Sequence, residues 1–162
     1  MRNWIRTALS MLGAAATALT LVVAPASADG TTQFSGVGRF DTSGQCTELV
    51  SLIPPTVMAG DLVGCLYVTS LEVHQNTPSG SYVERGTETF IGCLSDGTTC
   101  GTFDTTYVFT AKFADDGSEI HGRCEHPILG GTGDFEGITG WFHIKDDVET
   151  GDFNYSGHID LP

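Results

Sequence analysis

Glycine interrupts almost every window of the chain beyond residue 28, and no amphipathic helical stretch of useful length survives there. A glycine inside a helix costs roughly 1 kcal/mol relative to alanine. Between the glycines lie short runs rich in Val, Ile, Thr, Phe and Tyr, with period two, bounded by turn residues. That pattern specifies half-buried strands. It places strands near 33–40, 62–75, 81–94, 100–113, 119–128, 138–147 and 153–161. An eighth falls within 47–58, where Pro54-Pro55 interrupts it. Seven or eight antiparallel strands in one all-β domain make a β-sandwich or a small closed barrel. No repeat and no low-complexity linker divides the chain.

Residues 1–28 read as a secretory signal. Arg2 and Arg6 form a short basic start, Ala8 to Ala24 is apolar, and Ala26-Ser27-Ala28 is a small-residue cleavage site. An uncleaved membrane anchor is the alternative, opposed by Pro25 and the cleavage site that follows the apolar run. The expected product is a secreted domain, 29–162, with no membrane attachment after cleavage. The chain carries 7 Lys+Arg against 20 Asp+Glu, a formal charge of −13. Nucleic acid and anionic membrane bind through clustered Lys and Arg, and no such cluster exists, so neither is a partner.

Turn residues fix which side chains oppose one another. Asp96-Gly97 centres a hairpin that sets Cys93 opposite Cys100, Phe90 opposite Phe103, Glu88 opposite Thr105, Gly86 opposite Tyr107 and Glu84 opposite Phe109. The aromatic face is the inner one. Asp116-Gly117 centres the next hairpin and sets Phe109 against Cys124 and Tyr107 against His126. Ile120, Gly122, Cys124, His126 and Ile128 then face inward. Pairing Glu72 with Arg85, rather than with Glu84, turns Tyr67, Thr69, Leu71 and Val73 inward. Thr150-Gly151 closes the last hairpin and opposes Phe142 to Ile159 and His143 to His158.

All five cysteines lie in the expected mature domain. An oxidising compartment favours disulfides. Opposed residues of an antiparallel ladder have Cα atoms about 4.5–5.5 Å apart, within disulfide reach, so Cys93 pairs with Cys100. Cys46 can reach Cys65, which leaves Cys124 as a free, inward thiol. A zinc site is disfavoured because no C-x₂-C pair exists. His121-x₂-Cys124-x-His126 would send His121 to the opposite face of a strand, so no metal is expected.

The inner face therefore combines aromatics with Glu84, Glu88, Tyr107 and His126. Carboxylates in an apolar shell are costly unless paired, hydrated or protonated, and such groups mark binding and active sites. Glu88 or Glu84 would be a general acid/base, oriented by Tyr107 and His126; the plainer reading is a structural polar network. Tyr67, Phe90, Phe103, Phe109 and Cys124 would line the binding space, with Gly86, Gly92 and Gly122 leaving room beside them. Cys124 and His126 could form a thiol–imidazole dyad, against the reading of Cys124 as an inert buried thiol. His143 and His158 beside Trp141 could bind a metal, sense pH or make a subunit contact. The acidic turn 146–152 lacks the order of a calcium loop. No G-x-S-x-G, H-E-x-x-H or P-loop occurs, and no cofactor is implied.

The run Gly130-Gly131-Thr132-Gly133-Asp134-Phe135-Glu136-Gly137-Ile138-Thr139-Gly140 resembles a glycine signature of the dirigent and allene oxide cyclase barrel superfamily. Trp141 to Pro162 resembles the closing hairpin of that group. The resemblance implies a single eight-stranded antiparallel barrel, often homo-oligomeric, with a hydrophobic cavity. Members guide cyclisation or coupling of apolar intermediates, largely by shape. Their catalytic residues are scattered over the strands, so none is carried onto this sequence. Three functions stand as expectations: a secreted barrel binding a small apolar molecule, an isomerase or cyclase using Glu88, Glu84, Tyr107 and His126, and a structural protein with a filled barrel.

Overall fold

Strand β1 (Thr32–Phe40) is flanked by β2 (Thr56–Gly60) on one side and by β8 (Asp152–Asp160) on the other. Between them run β3 (Leu62–Asn76), β4 (Ser81–Leu94), β5 (Cys100–Phe113), β6 (Glu119–Gly133) and β7 (Thr139–Asp147). Every neighbour is antiparallel, and the order β1 to β8 closes on itself. The fold is thus a single eight-stranded antiparallel barrel, which excludes the sandwich. The computed structural model describes residues 31–162, and the expected signal 1–28 lies outside the described residues.

The expected hairpin register of β4 and β5 is observed, from Cys93 against Cys100 to Glu84 against Phe109. Glu72 pairs with Arg85 and Phe109 with Cys124, also as expected. Both disulfides form, Cys46–Cys65 and Cys93–Cys100, and Cys124 is free and buried.

Four expectations are corrected, two of them at irregularities in the ladder. A bulge in β3 between Val68 and Ser70 changes the phase of the strand. Leu66 and Val68 point into the barrel, while Tyr67 points out and Thr69 is exposed. Tyr67 is buried all the same, with Cys46 and Cys65, on the outer side of the wall. A second irregularity, between Lys112 and Phe113, leaves Ile120 half exposed rather than inside. The eighth strand is not 47–58 but Thr56–Gly60, beginning just past Pro54-Pro55, which lack the N–H donors a ladder needs. The last hairpin is two residues off: Phe142 opposes Gly157, His143 opposes Ser156, and Trp141 opposes His158. Its loop has four residues, with Asp147 paired to Asp152 and the Asp147 carboxylate accepting from the N–H of Glu149 and Thr150. A slip of two keeps every side chain on its face.

Residues 41–55 form a strap outside the barrel. The Asp41 carboxylate organises its start, accepting from the N–H of Ser43, Gly44 and Cys46 at 2.8–2.9 Å, which lowers its pKa to about 2. The Tyr67 hydroxyl donates to Glu48, and Leu52 N–H donates to the Val68 carbonyl at 2.9 Å.

The two halves of the interior differ. One half is packed: Phe90 stacks on Phe103 at 4.8 Å, and Phe135 meets both edge-on, with Leu62, Ile138 and Ile159 around them. The glycine run explains how Phe135 gets there. Gly133 and Gly137 adopt φ of 68° and 82° on either side of the corner that folds Phe135 and Ile138 over the barrel end. The other half, where β4, β6 and β8 begin, is open.

The inner glycines are not vacant. A Cβ at Gly86 would lie 1.9 Å from the Ser70 carbonyl oxygen and 2.5 Å from the Tyr107 ring, so Gly86 is the seat of that ring. Gly86→Ala is expected to cost about 2–3 kcal/mol in urea unfolding. Gly97→Ala, at an open turn with φ of 69° and nothing within 4 Å, should cost only about 1 kcal/mol. Equal losses would contradict this packing.

Candidate functional site

The open half of the barrel encloses a cavity of about 320 Å³. Its polar floor comes from the inward alternation of neighbouring strands: Glu84 and Glu88 on β4, Tyr107 on β5, Cys124 and His126 on β6, and Asp146 on β7. Its walls are apolar and largely aromatic, with Phe109, Phe113 and Phe153 from the barrel and Ile53 from the strap. Phe40 and Phe153 pack edge to face at 4.7 Å, and Tyr82 lies edge-on to Phe109 and Phe113.

Glu84 is held from both sides. Tyr107 donates its hydroxyl to Oε1 and Tyr82 donates to Oε2, each at 2.6 Å. Burial, reinforced by Glu84, pushes the Tyr82 phenol up to about 12 and the Tyr107 phenol higher still. Both phenols are therefore hydrogen-bond donors throughout the physiological range. Neither is a proton donor in the acid sense.

Glu88 and His126 are buried as well, 8% and 1% exposed. Glu88 Oε2 lies 3.0 Å from His126 Nε2, at ion-pair distance. The imidazole stacks flat on Phe142, 4.4 Å away with planes 3° apart. Neither Glu88 Oε2 nor His126 Nδ1 has a directed hydrogen-bond partner. A buried polar atom without one costs about 1–3 kcal/mol. The contact is thus electrostatic, and it leaves hydrogen-bonding capacity over.

Beside these sits a pair of acids that the sequence reading missed. Glu119 and Asp146 meet above Gly122, whose absent Cβ would lie 2.4 Å from Glu119 Oε1 and 2.1 Å from Asp146 Oδ2. Burial and the neighbouring Asp146 carboxylate push the Glu119 carboxyl up to about 7, and burial raises Asp146 as well. One proton shared between them relieves the repulsion of two carboxylates. Asp146 was within reach of the sequence, since it continues the inward alternation Phe142, Ile144, Asp146; it was absorbed into an acidic turn. Glu119 was not, because the irregularity at Lys112/Phe113 brings it to the cavity.

The expected site residues therefore divide into three groups. Glu84, Glu88, Tyr107 and His126 converge on one cavity, with Phe109 and Cys124 in its wall. Phe90 and Phe103 face inward but fill the packed half, and Tyr67 lies outside the wall. Cys124 touches the cavity as an inert thiol: burial and the surrounding carboxylates raise its pKa far above neutrality, against a thiol–imidazole dyad. His143 and His158 are not opposed; His143 bonds Ser156 and His158 sits edge-on to Trp141. Among the described residues, no group of three or more His, Cys, Asp or Glu could hold a metal ion.

Fold and site together define an antiparallel β-barrel with one plugged end and, at the other, an aromatic-walled, acid-floored cavity. No family model, curated protein or solved structure matches the chain.

The acid pair gives stability a pH dependence. A carboxyl raised by folding imposes a penalty that begins above its unfolded pKa and levels off above its folded one. Stability should fall as pH rises from about 4.5 to about 7. Glu119→Gln keeps a donor to Asp146 at every pH, so its melting temperature should gain on wild type across that window. Parallel melting curves from pH 4 to 8 would show the pair to be hydrated instead. Separately, native Cys124 should resist iodoacetamide at pH 8 and react fully in guanidinium, read by intact mass.

Proposed function

We propose that this barrel binds a small, largely apolar molecule in the cavity at its open end. The observation that carries the reading is the contrast between the two halves of one interior. Aromatic and aliphatic side chains pack the far half, whereas the near half keeps a cavity of about 320 Å³. That volume lies at the lower end of the range for small-molecule sites, and apolar walls with a few convergent polar groups are their usual composition. A barrel filled throughout by its own side chains is the poorer account of the same interior. The glycine run and the barrel of eight strands support a place among the dirigent and allene oxide cyclase barrels. Two disulfides and a small-residue cleavage signal support secretion.

A second reading, an isomerase or cyclase of the allene oxide cyclase kind, is favoured by one observation. The Glu88–His126 pair, at 3.0 Å, lies in the cavity wall with unsatisfied hydrogen-bonding capacity. In that reading Glu88 takes and returns a proton of an apolar substrate, and Glu84, held by Tyr82 and Tyr107, polarises it.

The neutral fluorophore N-phenyl-1-naphthylamine tests the binding reading. Saturable enhancement with a blue shift is expected with the oxidised mature chain. Ile144→Trp, which fills the cavity from its wall, should abolish it while the chain melts cooperatively. No saturable signal in wild type, or an equal signal in Ile144→Trp, would overturn the reading.

A further inference from the structure

The charge of the cavity is one-sided. Its lining holds four carboxyl groups, Glu84, Glu88, Glu119 and Asp146, with one imidazole and neither Lys nor Arg. Acidic residues alone would not define a ligand, but two independent features do. The first is hydrogen-bonding capacity left unused inside the protein. Glu88 is about nine-tenths buried, lines the cavity, and has an Oε2 with no directed hydrogen-bond partner, only the imidazole of His126 at ion-pair distance. Buried acceptors in native proteins are nearly always satisfied, so this one calls for a donor from outside the chain. The second is the nature of the walls. Tyr82, Phe109 and Phe113 form one aromatic cluster, and Phe40 and Phe153 form another. Ring faces attract organic cations, the more so where both are desolvated.

We infer that the ligand of this cavity is an organic ammonium, a primary or secondary amine on an apolar body, whose N–H groups serve the unpartnered acceptor of Glu88. The inference rests on the cavity being a binding site, and it names the chemical class bound there. A neutral ligand would leave the acids unbalanced, and an anionic one would add to their repulsion. An ammonium supplies two or three donors and a compensating charge to the same few atoms. A hydrogen bond to a charged group in a dry site is about twice as strong as a neutral one, which favours the amine over its alcohol counterpart. The whole chain, at −13, also attracts cations from a distance.

Three probes of one shape decide the matter: 2-phenylethylamine, 2-phenylethanol and 3-phenylpropanoate, titrated calorimetrically into the oxidised mature chain at pH 7 and low salt. The amine should bind at least tenfold more tightly than the alcohol, and the carboxylate should not bind measurably. In Glu88→Gln the preference for amine over alcohol should fall at least fivefold. Glu88→Ala gives the same readout should Glu88→Gln fail to fold. Equal affinity for amine and alcohol in wild type, or a preference untouched by both substitutions, overturns the ammonium assignment and leaves the apolar-binding reading standing. Should none of the three bind and N-phenyl-1-naphthylamine give no saturable signal, the binding reading itself falls.

Discussion

Closure of the β1–β8 ladder is the constraint from which the rest of this structure follows. With β8 paired along β1 from Thr32 to Gly38, no edge remains, and every strand must commit one face to the interior. An interior bounded by eight strands is only just wide enough for side chains or for one small ligand. The chain uses both options. Phe90, Phe103, Phe135 and Phe142 occupy one half as interlocking rings. In the other half the inward positions of the same strands carry Glu84, Glu88, Tyr107 and His126. The packed half supplies apolar burial and the open half carries the polar groups. A barrel can hold ionisable groups this way because the penalty of one half is offset by the packing of the other.

Within the open half the polar groups are satisfied unequally, and the inequality is informative. Glu84 has two phenol donors. Glu119 and Asp146 relieve each other with a proton. Glu88 has only a sideways contact with an imidazole pinned on Phe142. A network selected for stability alone would complete these bonds, since a half-satisfied buried network is worse than an apolar one. Departures of this kind are expected where function, rather than stability, sets the side chain.

The sequence made legible whatever depended on period two and on a two-residue hairpin centre. Asp96-Gly97 sufficed to place Cys93 against Cys100 and Glu88 against Thr105, and Asp116-Gly117 carried that register into β6 as far as Phe109 and Cys124. Legibility ended wherever the ladder departs from regularity. The bulge after Val68 moved Tyr67 from the interior to the outer wall, and the one at Lys112/Phe113 brought Glu119 to the cavity. Such irregularities insert a residue without a turn signal, so alternation alone cannot reveal them. The four-residue loop 148–151 misled the register by two but not the face, so Phe142 is inward in either register. Cavity and core were likewise inseparable in the sequence. Phe103 and Phe109 stand on the same face of one strand, and only the corner that lays Phe135 over the barrel end decides which of them is packed.

The strap ties the covalent chemistry of the chain to the cavity. Ile53 is its contribution to the cavity wall, and the segment has no strand ladder of its own to hold it there. It is fixed instead by the Cys46–Cys65 disulfide, by Tyr67 donating to Glu48, and by Leu52 bonding to Val68, one residue past Tyr67 on β3. Tyr67, misplaced by the sequence as a cavity residue, thus acts on the cavity from outside by anchoring what covers it. A covalent link is needed because Pro54-Pro55 removes the donors with which the segment could pair as a strand. In a reducing compartment the strap would keep its hydrogen bonds to β3 and the packing of Ile53, without the covalent tie. The cavity wall is covalently secured only where disulfides persist.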